Sequence, residues 1–114
     1  MTVENNNTLD GDDLLFELET PLGFSVRTTA RYWNLIVTIK HPVMRDRLDD
    51  VKTTLLDPDE IRQSRSDSAV CLFYRDDGDR RWLCAVTRRL NGDGFLITAY
   101  RTSAIKEGVV LWQK

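Results

Sequence analysis

Two tight-turn signals in the last third of the chain constrain its fold most. Asp77-Gly78 and Asn91-Gly92 separate three apolar runs, at residues 70–74, 82–87 and 95–100. Asp-Gly and Asn-Gly supply the positive backbone φ angles that a tight hairpin turn requires. The pattern therefore predicts a three-stranded antiparallel meander.

The segments before the meander predict two helices and further strands. Thr29 is a good N-cap for a helix over residues 30–40, which Pro42 would end because proline disfavours the helical conformation of the residue before it. A second apolar stripe predicts a helix over residues 43–56. Shorter strand candidates lie at residues 14–18, 24–28 and 60–64. This order predicts an α+β fold with two helices followed by a roughly four-stranded antiparallel sheet, and with one or two N-terminal strands.

Length and charge describe a single domain with a tail. We interpret residues 1–13 as a flexible acidic tail and residues 14–114 as one domain. No apolar run approaches the roughly 20 residues of a membrane helix, and the N-terminus lacks a signal-peptide pattern, so we expect a cytoplasmic protein with no membrane partner. The net charge is −2, yet residues 60–114 carry 10 Lys and Arg against 7 Asp and Glu. This mildly basic half can hold a local anion site.

The two cysteines and one histidine offer no zinc-ligand spacing, so we expect neither a metal nor a cofactor. If Asp77-Gly78 forms a two-residue loop, Cys71 lies directly opposite Cys84. The pair could then bond in an oxidising compartment, whereas two buried thiols are the expectation for the cytoplasm.

Strand alternation predicts that one face of the sheet is unusually polar. The cationic, hydroxyl and phenol groups on that face suit binding of a phosphodiester, although antiparallel sheets also often have one solvated face. The candidates on the predicted polar face are Arg62, Ser64, Tyr74, Arg81, Thr98, Tyr100 and Thr102.

His41 is the one histidine of the chain, at the predicted C-terminal end of the first helix. The exposed carbonyls there favour the imidazolium form, which suits a general acid. A histidine in this position can equally be a polar helix terminator.

Several ordered motifs resemble a known group of proteins. They are Tyr32-Trp33-Asn34-Leu35-Ile36, His41-Pro42, Asp57-Pro58-Asp59-Glu60-Ile61-Arg62 and Thr98-Ala99-Tyr100-Arg101-Thr102. Over about residues 24–112 the chain resembles the small bacterial and phage proteins assigned to the barnase–EndoU–colicin–RelE superfamily of ribonucleases.

The resemblance implies a metal-independent endoribonuclease and assigns catalytic roles to four residues. His41 would transfer a proton, Arg62 would bind the phosphate, and Tyr100 and Thr102 would position the substrate. From the predicted polar face, Ser64, Tyr74, Arg81 and Thr98 would bind RNA, with Tyr74 stacking a base. RNA is the implied partner, together with a cognate antitoxin or immunity protein of a toxin-like effector. The alternative is a non-catalytic RNA- or protein-binding module of the same fold.

Overall fold

The computed structural model describes residues 13–105 and 108–114. The described strands are β1 (Leu14–Glu19), β2 (Ser25–Thr29), β3 (Glu60–Gln63), β4 (Val70–Asp76), β5 (Trp82–Arg89), β6 (Asp93–Thr102) and β7 (Val109–Gln113). The helices are α1 (Ala30–Leu35), which continues as a π-helical turn (Ile36–Lys40), and α2 (Leu48–Leu56), which follows a 3₁₀ turn (Pro42–Met44). The predicted tail lies outside the described residues except for Asp13, whose carbonyl accepts the Ala30 N–H at 3.0 Å.

The seven described strands form one mixed sheet, in the order β1-β2-β6-β5-β4-β3-β7. β2 runs parallel to β6, and every other neighbouring pair is antiparallel. The predicted fold class is therefore wrong, because the sheet is seven-stranded and mixed rather than four-stranded and antiparallel. The difference comes from β1 and β2, which extend the sheet beside β6, and from β7, which returns to pair with β3.

The first helix begins as predicted, and its last turn changes from α-helical to π-helical geometry. The Thr29 hydroxyl accepts the Tyr32 N–H at 3.1 Å, as an N-cap should. The last turn widens to π geometry, and the His41 N–H donates to the Ile36 carbonyl at 2.7 Å. This turn buries Ile36 and Val37 against the sheet and leaves Lys40 at its exposed end.

The second helix is shorter than predicted. Residues 45–47 separate the 3₁₀ turn from α2, and the Arg47 backbone leaves the helical region at φ −114° and ψ 23°. The Arg47 guanidinium binds Asp50 at 2.8 Å and Asp77 at 2.6 Å. The ion pair with Asp77 is a long-range contact, so the apolar spacing alone does not indicate that the helix starts after Arg47.

Two apolar clusters lie on opposite faces of the sheet. The larger one, on the helix face, joins the helices to the inner side chains of the strands and includes Val51, Leu55, Phe73 and Ala85. The smaller one, on what we call the distal face, consists of Leu72, Tyr74, Cys84 and Val86, with Tyr100 and Ile105 packed against it. Ile105 belongs to the connection from β6 to β7, so part of the distal face is covered by the chain itself.

The register of the β4–β5 hairpin differs from the prediction. The loop spans residues 77–81 rather than two residues, and left-handed φ angles occur at Gly78, Asp79 and Arg80. Cys71 therefore lies opposite Thr87, and Cys84 lies opposite Tyr74. Both thiols are buried and unbonded on opposite faces of the sheet, which rules out the predicted Cys71–Cys84 apposition.

The described helices are too short or too polar to span a membrane.

Candidate functional site

Along most of its length the outer edge of β6 has no neighbouring strand among the described residues, and we call this part of the edge open. β2 pairs only with residues 93–95 of β6, and no described strand follows the edge beyond Phe95. A β-bulge lies immediately after this point, since Val86 faces Thr98 and Thr87 faces Leu96, which leaves Ile97 as the extra residue. Bulges redirect backbone groups and are common beside functional sites.

Side chains from the first helical region bind the carbonyl at the bulge. The Tyr32 hydroxyl donates to the Ile97 carbonyl oxygen at 2.7 Å, and the Lys40 ammonium donates to the same oxygen at 3.3 Å. The Lys40 Nζ also lies 3.1 Å from the Tyr32 hydroxyl and 5.3 Å from the centre of the Tyr32 ring. Among the described residues this ammonium has only neutral oxygens as hydrogen-bond acceptors, so its positive charge remains available to an anionic ligand.

His41 contacts Tyr100 at the same edge. The centres of the two rings are 5.5 Å apart and their planes are tilted by 43°. His41 directly follows Lys40 where the π-helical turn ends, and Tyr100 lies on the distal face near the end of β6. We call Tyr32, Lys40, His41 and Tyr100 the β6-edge cluster.

Tyr100 is held as a neutral phenol. Burial and the adjacent Cys84, with which it shares a hydrogen bond, raise the pKa of Tyr100 well above its ordinary value of 10, and Tyr74 raises it further. The hydroxyl therefore cannot serve as a base near neutral pH. What Tyr100 offers His41 is a fixed aromatic surface.

Arg62 lies away from this cluster. Its guanidinium forms an ion pair with Glu60 on its own strand, and both side chains are mostly buried. β3 and β6 are three strand positions apart, which is about 14 Å at the usual strand spacing. Because the buried Leu72 and Val86 lie between Arg62 and Thr98 in the same row, Arg62 and His41 do not face one common phosphate.

Tyr74 is completely buried beneath the distal face. It lies between Glu60 and Cys84 in the sheet and contributes to the smaller apolar cluster. A ring without exposed surface offers no face on which a base can stack, so we leave Tyr74 out of the candidate site.

The other predicted binding residues are dispersed. Ser64 bonds Ser66 at one end of the sheet, whereas Arg81 is exposed at the other end. Thr102 is beside that second end and bonds the backbone of Ala104. Thr98 is nearer the cluster, and its buried hydroxyl has no hydrogen-bond partner among the described residues. Of the eight predicted site residues, His41 contacts Tyr100, and Tyr74 and Tyr100 belong to the same apolar cluster on the distal face, whereas Arg62, Ser64 and Arg81 lie elsewhere on the sheet.

Two grooves flank the cluster at Tyr32. One, of about 400 Å³, follows α1 and the π-helical turn and is lined by Arg31, Tyr32, Leu35 and Ile39 among others. The second, of about 200 Å³, is lined by residues that include Arg27, Tyr32 and Phe95. Arg31 lines the first groove, whereas Arg27 of the second groove is ion-paired with Asp93, and neither set of described lining residues includes a carboxylate.

Sequence reasoning missed Tyr32 and Lys40 as site residues. The position of Lys40 could have indicated it as a site residue, since it precedes the single histidine at the end of a predicted helix. Tyr32 had none, because its role depends on the Ile97 carbonyl, 65 residues away along the chain.

Comparison with family models, with curated proteins and with solved structures gives no match to this chain.

Proposed function

We propose that this protein is a metal-independent endoribonuclease whose reaction centre is the β6-edge cluster. The observation that carries the proposal is the contact of His41 with Tyr100, three residues along β6 from the carbonyl that binds the Lys40 ammonium. It combines a group that can transfer a proton, an aromatic support that fixes the orientation of that group, and a cation.

The proposed reaction is attack of the ribose 2′ oxygen on the adjacent phosphorus. The 2′ oxygen loses its proton, the bond from phosphorus to the 5′ oxygen breaks, and that 5′ oxygen gains a proton. The products are a 2′,3′-cyclic phosphate and a 5′ hydroxyl. His41 performs one of the two proton transfers and water performs the other, and such a transfer by a positioned side chain contributes about 10²–10⁴-fold to the rate.

In this proposal Lys40 takes the electrostatic role that the resemblance implied for Arg62. A cation beside the reacting phosphate stabilises the charge that develops on its non-bridging oxygens. The Lys40 ammonium lies at the open β6 edge, whereas Arg62 is paired with Glu60 beyond the distal apolar cluster. Tyr100 is a positioning residue, because it acts through the His41 ring.

The proposed substrate is single-stranded RNA in the cytoplasm. Exposed bases of single strands stack on aromatic side chains, and Tyr32 lines both grooves beside Lys40. If the activity is toxic to the cell, a cognate antitoxin or immunity protein covering this edge would be its natural regulator.

A non-catalytic RNA- or protein-binding module is the second candidate. It is favoured by the internal engagement of two predicted site residues, since Arg62 is paired with Glu60 and Tyr74 has no exposed surface. Such a module would bind RNA in a salt-dependent manner without turnover.

Incubation of the purified chain with RNA in EDTA tests the proposal. We expect discrete fragments with 2′,3′-cyclic phosphate and 5′-hydroxyl ends, which are lost in His41→Ala and are absent when the nucleotide before the cleaved bond is 2′-deoxy. The matched control is Lys52→Gln, which removes one positive charge on α2. Binding without cleavage would contradict the nuclease and support the module, and cleavage that survives His41→Ala would exclude this reaction centre.

A further inference from the structure

The two edges of the sheet differ in a way that bears on self-association. β1 forms one edge and carries exposed glutamates at positions 17 and 19. β7 forms the other edge, and its sequence, Val109–Gln113, contains no charged residue. Charged side chains are a common device that protects an edge strand against pairing with another chain, and β7 lacks it.

β7 also exposes an unusual amount of apolar surface. Val109 is 56% exposed, Val110 43% and Leu111 37%. On the outer side of β7 no described strand binds the backbone N–H and C=O groups. Backbone groups and apolar side chains are therefore presented together, as required for addition of a further strand.

We propose that β7 pairs antiparallel with β7 of a second copy of this chain, which joins two sheets into a symmetric dimer. In such a pair each residue of Val109–Gln113 faces an uncharged residue, so no like charges meet. The contact uses the same surface on both subunits and closes after two copies. Pairing of β7 with β1 would instead place the glutamates beside an apolar strand and leave open edges for further copies.

The geometry also sets the strength of the association. Ile61 faces Trp112 and Arg62 faces Val110, so Leu111 is the extra residue of a bulge in β7. Because β7 has only five residues and contains a bulge, two β7 strands can form only a short run of regular backbone hydrogen bonds. A single pair of five-residue strands buries far less than the roughly 1,600 Å² of a standard interface, so we expect a dissociation constant in the micromolar range.

Sedimentation velocity of the full chain over a concentration series tests the proposal. The weight-average mass should rise from 13.2 kDa toward twice that value, with little dependence on salt because the contact is uncharged. Leu111→Lys should leave a monomer at all concentrations. Leu90→Lys is the matched control, since Leu90 is 45% exposed in the β5–β6 loop, and it should dimerise as the wild type does.

Three outcomes would overturn the proposal. They are a constant mass of 13.2 kDa over the whole series, growth beyond the mass of two chains, and a dimer that survives Leu111→Lys. Cross-linking gives a second readout, because Leu111→Cys should form a disulfide-linked dimer under mild oxidation while the two native thiols stay buried. These measurements involve no RNA, so their result is independent of the proposed nuclease activity.

Discussion

At the scale of single residues, the ring of Tyr100 matters more to the proposed site than its hydroxyl. The hydroxyl is hydrogen-bonded to Cys84, and its raised pKa keeps it protonated, whereas the ring contacts His41. The sequence suggested His41 as the one histidine at a predicted helix end and Tyr100 as a member of the predicted polar face, and the resemblance implied a catalytic role for both. It could not show which part of Tyr100 faces the histidine, since that depends on the fold.

Two substitutions of Tyr100 separate these roles. We expect Tyr100→Phe to retain RNA cleavage within about threefold, because the aromatic ring that orients His41 is still present. Tyr100→Ala should lower kcat by about 10- to 100-fold, because the imidazole remains but is no longer held in position. Circular dichroism should confirm that both variants fold. Equal losses in the two variants would assign the role to the hydroxyl.

Asp77 is the second residue with a clear prediction, here for stability. Its carboxylate binds Arg47 at 2.6 Å and Arg101 at 2.7 Å, which ties the β4–β5 loop to α2 and β6. The Arg47 hydrogen bond, supported by Arg101, lowers the pKa of Asp77 below its ordinary value. Asp77→Asn should reduce the free energy of unfolding in urea at pH 7 by about 1–3 kcal/mol.

The contribution of Asp77 should depend on pH in a defined direction. A lowered folded-state pKa stabilises the protein fully above the unfolded-state pKa of about 4, and the stabilisation disappears as the pH falls through the folded-state value. The difference between wild type and Asp77→Asn should therefore shrink below about pH 4. The exposed Asp46→Asn is the control. A difference that stays constant down to pH 2 would contradict this account.

At the scale of elements, local patterns predicted the meander strands and failed on their register. The strands predicted from residues 70–74, 82–87 and 95–100 are present as β4, β5 and β6. The loop at Asp77-Gly78 is five residues long, however, and its closing bonds join residues 77, 78 and 81. An odd shift of register moves every β5 side chain to the other face of the sheet. The long loop is held by Arg47 and Arg101, which no local turn signal contains.

Gly94 gives an element-scale prediction for the start of β6. A Cβ at this position would lie 2.5 Å from the Arg88 carbonyl oxygen and 3.1 Å from the Phe24 ring. Because the closest atom belongs to the backbone of β5, it cannot move aside without disturbing the hairpin. We expect Gly94→Ala to lower the free energy of unfolding by about 1–3 kcal/mol.

Chemical denaturation followed by tryptophan fluorescence would measure this effect. Ser68→Ala, at an exposed loop position, should stay within about 0.5 kcal/mol of wild type. An unchanged stability of Gly94→Ala would mean that β5 and β6 are less closely apposed than the structure indicates.

At the scale of the whole molecule, the sheet decides which residues can act together. The sequence pattern gathered cations and hydroxyls on one face because it treated that face as flat and solvated. In the folded chain the middle of that face is apolar and partly covered by Ile105, and Arg62 lies across it from His41.

The parallel pairing of β2 with β6 ends at Phe95 and leaves the edge at which Tyr32 and Lys40 bind the Ile97 carbonyl. Such long-range pairing carries no local signal, so the sequence indicated the histidine but not that the Lys40 ammonium would bind the Ile97 carbonyl.

The most direct test of this account is the cleavage rate of one defined RNA, in EDTA, by Lys40→Gln and Arg62→Gln. Each variant removes one positive charge. We expect Lys40→Gln to lower kcat/KM by at least tenfold and Arg62→Gln to leave kcat/KM within about threefold, provided that both variants are folded. The reverse order, with Arg62→Gln inactive and Lys40→Gln active, would contradict a reaction centre at the open edge of β6.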